Sequence, residues 1–386
     1  MKKLSAYTMH PTVLWVNPSF ADYRVPFYRA LSERLRGQFH LVYSENRVAP
    51  RCIKTIQAAL GSHAHGLSDE KCLTLGNRNS HFSCSSLSIP YPSGLNNLLR
   101  SIKADVVIAE GFFQWTPWAL LHARRLRVPL LIAYERTAHT ERNCPSWRSL
   151  YRKWISRFTS AFLVNGSLCR EYLIQALGVK SDIITEGIMA ADSEELSSGV
   201  QVLRSGNANP AQGLTWLYVG RLIELKGIRQ LLNAWKEHIE RFPQDKLIIV
   251  GDGPERAKLE AMNTPATEFR GPVDYDHIHK YYAQADVFII PTLEDNWSLV
   301  VPEAMACGLP IASSCYNGCH PELVKDGLNG KVFDPLNRES ILDTLTYFHS
   351  ASLPAMSQAS REIAELYSPY RCANRAYDGI LKTLIK

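Results

Sequence analysis

The sequence predicts an α/β fold of two Rossmann-like domains facing a cleft. Three observations carry this expectation. Short strand-like apolar runs alternate with helix-like segments along most of the chain, the order that builds parallel sheets covered by helices. The alternation lapses over 191–212, where Ser, Gly, Asn and Pro dominate, and then restarts. The 386 residues exceed one ordinary core and suit two units of about 150–200 residues each. The predicted organisation is an N-terminal domain over 1–190, a linker over 191–212, a second domain over 213–365 and a C-terminal helix over 366–386 that packs back on the first domain.

In the first half, strands are expected at 12–17, 40–43, 106–109, 130–134 and 161–164, with helices at 25–35, 117–126, 147–157 and 168–177. Residues 49–93, rich in Ser, Gly, His and Asn, read as irregular strands or a loop. In the second half, strands are expected at 214–219, 246–250, 267–270, 287–291 and 310–313. Helices are expected there at 227–241, 254–262, 276–284 and 301–307, with a helical tail broken at Pro369.

Composition narrows the function classes. Hydrophobic residues make up 46% and charged residues 21%, as in soluble globular proteins. No apolar run reaches the ~18–20 residues needed to span a bilayer. The first ten residues hold two lysines without an apolar stretch behind them, so a cytoplasmic location is expected rather than secretion. Nine cysteines, without paired short spacings, read as reduced thiols; Cys315 and Cys319 lack a second pair for a metal. Residues 1–190 carry 24 Lys+Arg against 12 Asp+Glu, whereas 191–386 carry 19 against 25. The basic half suits an anionic partner, a lipid surface or a phosphorylated acceptor. No nucleic-acid motif accompanies the charge.

The chemistry-bearing motifs sit at strand ends. Val219-Gly220-Arg221-Leu222 closes one strand, and Lys226-Gly227 opens the next helix. Glycine permits a close ligand approach. Arg221 and Lys226 flank a helix N-terminus whose free N–H groups favour an anion such as a diphosphate. A tight turn with two solvated cations would look the same. Gly251-Asp252-Gly253-Pro254 closes a second strand. Then Pro291–Pro310 reads as strand, acidic loop and helix, ending at Gly308. Glu303, one turn inside that helix, is placed to accept hydrogen bonds from ribose hydroxyls, and Asp295 on the loop to meet those of a sugar. A capped helix whose acids complement its dipole explains the charges but not the whole arrangement.

Together these segments resemble the retaining glycosyltransferases of family 4, which have the GT-B fold. That family carries VGRL…KG, a GDGP turn and a Glu-x7-Glu motif ending in EAMAxGxP. Here the matching positions are Val219–Gly227, Gly251–Pro254 and Asp295–Glu303, followed by Gly318…Pro321-Glu322-Leu323-Val324…Gly330. The resemblance is strong over 214–335 and loose in the first half. It implies that Gly220, Arg221, Lys226, Gly251, Ser298, Leu299, Val300 and Glu303 hold a nucleotide-sugar donor. Arg221 and Lys226 would grip the diphosphate, Leu299 and Val300 would offer backbone N–H groups, and Glu303 would hold the ribose. Asp295 stands at the first acidic position, where the family has Glu; Glu294 is the neighbouring substitute. The usual Phe-Gly pair is Trp297-Ser298. The resemblance further implies hexosyl transfer with retention, without metal or cofactor, to a polysaccharide, lipid-linked or other glycan acceptor. A GT-B epimerase, a phosphorylase or a non-catalytic sugar-nucleotide-binding partner are the alternatives.

The first half offers the acceptor side. Phe20 and Arg24 follow the first strand, Glu110 ends a later one, and Glu135 and His139 follow the next. All lie on the rim where α/β sheets bind ligands. The resemblance assigns Glu135 or His139 an active-site role. Trp147, Tyr151, Trp154 and Phe158 form one helical stripe among basic residues. Two readings stand: an aromatic face packed on the sheet, or contact with the inner face of a membrane.

Overall fold

The computed structural model describes residues 10–76, 86–205 and 213–385. It divides the chain into one unit of residues 1–190 plus 369–386 and a second of 191–368. The expectation for the first ten residues falls almost wholly outside the described range, as do 206–212 of the expected linker.

The first unit runs β1 (Val13–Val16), α1 (Val25–Arg34), β2 (Phe39–Ser44), α2 (Pro50–Leu60), β3 (Ala64–Leu67), β4 (Glu70–Gly76), β5 (Ser86–Pro92), α3 (Leu95–Ser101), β6 (Val106–Glu110), α4 (Thr116–Leu126), β7 (Leu130–Tyr134), α5 (Ser146–Ser156), β8 (Ala161–Val164), α6 (Ser167–Leu177) and β9 (Ile184–Glu186). Its parallel sheet has the order β3-β2-β1-β6-β7-β8-β9. β1, β7 and β8 are buried along their whole length, because helices cover both faces and leave no polar side to alternate with. The stretch that resisted assignment holds α2, β3 and an antiparallel hairpin of β4 with β5.

The second unit runs α7 (Glu194–Ser205), β10 (Thr215–Val219), α8 (Ile228–Arg241), β11 (Lys246–Val250), α9 (Arg256–Glu260), β12 (Thr267–Gly271), α10 (Tyr275–Gln284), β13 (Val287–Ile290), α11 (Val300–Ala306), β14 (Ile311–Ser314), α12 (His320–Leu323), β15 (Gly330–Phe333), α13 (Arg338–Tyr347) and α14 (Leu353–Glu365). Its parallel sheet has the order β12-β11-β10-β13-β14-β15.

Two terminal segments show how each unit closes. α15 (Pro369–Leu384) packs on α1, with Arg34 over the Tyr377 ring at 4.6 Å and Arg375 Nη1 donating to the Gly187 carbonyl at 3.2 Å. The segment expected as a bare linker instead carries α7. Arg204 anchors it, donating to the carbonyls of Tyr282 (3.2 Å), Ala283 (3.3 Å), Ala285 (2.8 Å) and Cys307 (3.3 Å). Those carbonyls lie where neighbouring helices end and lack partners of their own. Leu196 and Val200, one turn apart, are also buried, an apolar pair too short to stand out among the Ser and Gly around it.

Candidate functional site

In the second unit the strand order reverses between β10 and β13. Loops leaving the carboxyl ends of those strands part to opposite sides, and an open α/β sheet binds ligands there. The three motif loops meet at this point. Leu222 N donates to the Asp252 carbonyl at 2.9 Å, and Glu255 N donates to the Leu222 carbonyl at 3.0 Å. The Leu225 carbonyl accepts from Thr292 Oγ1 at 2.9 Å and Leu293 N at 2.7 Å. Two glycines are required. A Cβ at Gly227, where φ is +67°, would stand 1.9 Å from the Pro291 carbonyl oxygen. A Cβ at Gly251 would stand 1.9 Å from that of Gly220.

Asp295 organises the acidic loop. Its carboxylate pairs with Lys226 and accepts from Ser298 Oγ at 2.5 Å and Trp297 N at 3.1 Å. All three residues that depart from the family pattern, Asp295, Trp297 and Ser298, therefore have structural work. Ser298 binds Asp295, and buried Trp297 lies 5.8 Å from the Tyr367 ring. Fully buried Asn317, which the sequence did not single out, accepts from Ser298 N at 3.3 Å and fixes the start of α11. Arg221 is exposed, with its backbone carbonyl held by the Tyr218 hydroxyl at 3.0 Å. Glu303 lies inside α11; burial pushes its carboxyl up to about 7, opposed by the Tyr282 hydroxyl at 3.4 Å. Glu294, beside Asp295, is buried.

The first unit holds a cavity of about 380 Å³ at its own strand-order reversal, between β1 and β6. Phe20, Tyr23, Arg24, Glu110, Glu135, Arg136, Arg148 and Arg152 are among its lining residues. Arg24, 4% exposed, donates to Glu110 Oε1 at 2.9 Å, and the Trp15 indole donates to Oε2 at 3.0 Å. Burial works against the Arg24 charge, but Glu110 opposite it holds the pKa above the ordinary arginine value. Arg152 and Arg136 converge on buried Glu141 at 2.6 and 3.1 Å.

Sequence proximity misleads for one pair. Glu135 lines the cavity, whereas His139 is not among its lining residues. A tight turn intervenes, with Thr137 N on Thr140 Oγ1 at 3.0 Å and Thr140 N on Thr137 Oγ1 at 3.3 Å. α5 meets the packed-aromatic expectation only in part, because Tyr151 and Phe158 pack against the core and the two tryptophans do not. Arg148, Arg152 and Ile155 face inward, while Trp147, Leu150 and Trp154 are exposed. Only Tyr151 and Phe158 of the stripe are half-buried.

Among the described residues, His238, Asp245 and His349 form the group of three metal-capable side chains. Asp245 Oδ2 accepts from His238 Nε2 at 2.8 Å, His349 Nε2 at 3.0 Å and the Trp216 indole at 3.2 Å, and its other oxygen takes Leu214 N at 2.8 Å. These bonds tie α8 and α13 to the edge of β10. Cys319 is fully buried and Cys315 half-buried, both as free thiols.

Comparison with known proteins bears on the second unit directly. Residues 213–350 match the family model for glycosyl transferases group 1. The matched span contains every loop of the strand-reversal site. This chain carries a group 1 glycosyltransferase domain. Beyond that domain, the chain is 27% identical to the sulfoquinovosyl transferase of Arabidopsis thaliana over 73% of its own length and 57% of the plant protein's. It is 26% identical to the alpha-monoglucosyldiacylglycerol synthase of Acholeplasma laidlawii over 61% of its length and 65% of that protein's. The chain thus spans less than two thirds of each of these relatives. The Anabaena protein HepE, solved with UDP and glucose, superposes with a TM-score of 0.67 over 97% of this chain and 100% of its own, at 18% identity. The group 1 domain and its partner unit therefore share the two-domain α/β fold of that protein. Within the domain lie Gly220, Arg221, Lys226, Gly251, Glu294, Asp295, Ser298, Leu299, Val300 and Glu303. Outside it lie Phe20, Arg24, Glu110, Glu135 and His139.

Proposed function

We propose that this protein transfers a hexosyl unit from a nucleotide diphosphate sugar to a glycan or lipid-linked acceptor, with retention and without a metal or cofactor. The observation that carries the reading is the Gly220–Gly227 loop laced to the Pro291–Ser298 loop at the strand reversal of a group 1 domain. Lys226 and Arg221 offer cations there, and α11 offers its first N–H groups. In this reading the donor diphosphate lies against Arg221, Lys226 and the Leu299 and Val300 amides. Ionised Glu303 accepts from the ribose hydroxyls. Asp295, already held by Lys226 and Ser298, presents its remaining lone pairs to the sugar, with Glu294 as the neighbouring acid. The bond from the anomeric carbon to the phosphate oxygen breaks, and the acceptor oxygen bonds to that carbon. The acceptor proton passes to the leaving phosphate oxygen. The cations and amides stabilise the developing charge.

The cavity of the first unit is the acceptor side, with Phe20, Arg24 and Glu110 shaping it and Glu135, rather than His139, on its wall. The name of the Acholeplasma relative, a monoglucosyldiacylglycerol synthase, supports a lipid-linked acceptor, and we place the work at the cytoplasmic face of a membrane. Two measurements test the reading. Protection against thermal unfolding by UDP, GDP and ADP sugars should single out one donor class, since a specific ligand stabilises by mass action. Nucleotide release from that donor should then require a membrane or glycan extract. Protection without acceptor-dependent release would leave a binding protein and end the transferase assignment.

A further inference from the structure

We infer that the outer face of α5, with the last turn of α4, is a docking surface for an anionic lipid bilayer. α5 is built inside out. Its two arginines at 148 and 152 are buried, while Trp147, Leu150 and Trp154 stand 48%, 67% and 49% exposed. A helix of a water-soluble fold normally does the reverse. The exposed three fall at i, i+3 and i+7, so they share one face.

Charge selects the occupant. Between Glu110 and Glu171 the chain holds ten Lys and Arg but only two acids, Glu135 and Glu141. Both acids are spent inward, Glu141 in the pair with Arg152 and Glu135 on the cavity wall. What reaches solvent is cationic: Lys153 and Arg157 on and just beyond α5, Arg142 before it, and Arg124, Arg125 and Arg127 at the end of α4. The two helices meet where the Arg124 guanidinium lies 5.0 Å from the centre of the Phe158 ring. Tryptophan settles at the boundary between headgroups and acyl chains, and surrounding cations are drawn to anionic headgroups. An apolar partner protein would not need this one-sided charge. α5 is also one wall of the cavity, through Arg148 and Arg152. Its inner and outer faces are separated by the ~10–12 Å of one helix. This deepens the acceptor reading by putting the acceptor's source beside its cavity, yet the docking stands or falls separately.

The test is flotation of the full chain with vesicles of phosphatidylcholine alone and of phosphatidylcholine with phosphatidylglycerol in equal parts. The protein should float with the anionic vesicles only, and high salt should release it. Leu150→Glu with Trp154→Glu should abolish flotation. Lys153→Gln and Arg157→Gln, which leave the apolar face intact, should each lower the bound-to-free ratio about fivefold. Thermal protection by the donor, a property of the other unit, should be unchanged in all variants, which also verifies folding. Equal flotation by the Leu150→Glu, Trp154→Glu variant overturns the proposal. So does a wild-type dimer in light scattering that Leu150→Glu dissolves, since the face would then belong to a second copy. Loss of flotation with transfer to a water-soluble acceptor intact confirms docking as a separate function. Flotation without any transfer would instead sink the transferase reading alone.

Discussion

The two strand-reversal sites of this molecule are built by opposite means. In the second unit, backbone does most of the positioning: the Leu222, Leu225 and Asp252 carbonyls lace three loops, and Gly227 and Gly251 let them touch. In the first unit, side chains do it: Arg24 with Glu110, and Arg136 and Arg152 with Glu141, brace a cavity lined by polar groups and by the rings of Phe20, Tyr23, Phe112, Phe113 and Tyr134. A backbone-built frame holds its loops, and Arg221 and Lys226 on them, in one geometry, which in the proposed reading suits the donor diphosphate. A site of buried ion pairs is specified by the particular charges it holds, which in the same reading suits selection of an acceptor.

The contrast breaks if the cations of the second unit prove dispensable. Alanine at both Arg221 and Lys226 should lower kcat/KM about 10³-fold or more, with the apparent melting temperature in the absence of donor little changed. Lys226→Ala alone should cost less, and part of its effect should come from releasing Asp295. In the first unit the expected loss is of stability. Glu110→Gln leaves the Arg24 cation buried without its counter-charge, which should cost about 2–4 kcal/mol in denaturant unfolding. Arg24→Met combined with Glu110→Gln should cost less than the sum of the single changes, because the neutral pair no longer strands a charge. Additive losses would show that the pair does not brace the cavity.

This difference also explains what the sequence revealed. The central strands of both sheets were legible as buried apolar runs bounded by turns, whereas the short edge strands β3, β9 and β15 were not. The strand-end glycines of the second unit were legible as well, because local backbone geometry leaves a local signature. The helix α7 was not: its buried pair Leu196 and Val200 is surrounded by Ser and Gly, and its arginine reaches carbonyls about 80 residues away. Asn317 and Tyr282 escaped for the same reason: each meets its partner only after the chain has folded. The sequence brought Glu135 and His139 to one loop but could not say which faces the cavity, a choice made by the Thr137–Thr140 turn. The aromatic stripe of α5 was correctly placed on a helix. Its periodicity does not record which face is inward, and the deciding fact is the burial of Arg152 in its pair with Glu141 and of Arg148 beside Phe113.

Glu303 offers the finest probe, because two of its consequences run in opposite directions with pH. Its carboxyl is raised to about 7 by burial, so the folded chain favours the protonated form. The stability it contributes is thus fully present below the ordinary carboxylate range and is lost as pH rises through about 7. In the proposed reading donor binding uses the ionised form as an acceptor for ribose hydroxyls, so affinity for the donor nucleotide should strengthen over the same interval. The change between pH 6 and pH 8 should be on the order of tenfold at most, set by the proton that must leave. Glu303→Gln should flatten both trends while binding the nucleotide more weakly at pH 8. Titration calorimetry and thermal unfolding across that range measure the two together. An affinity that keeps its full pH dependence in the glutamine variant would place the titrating group elsewhere and remove Glu303 from the ribose.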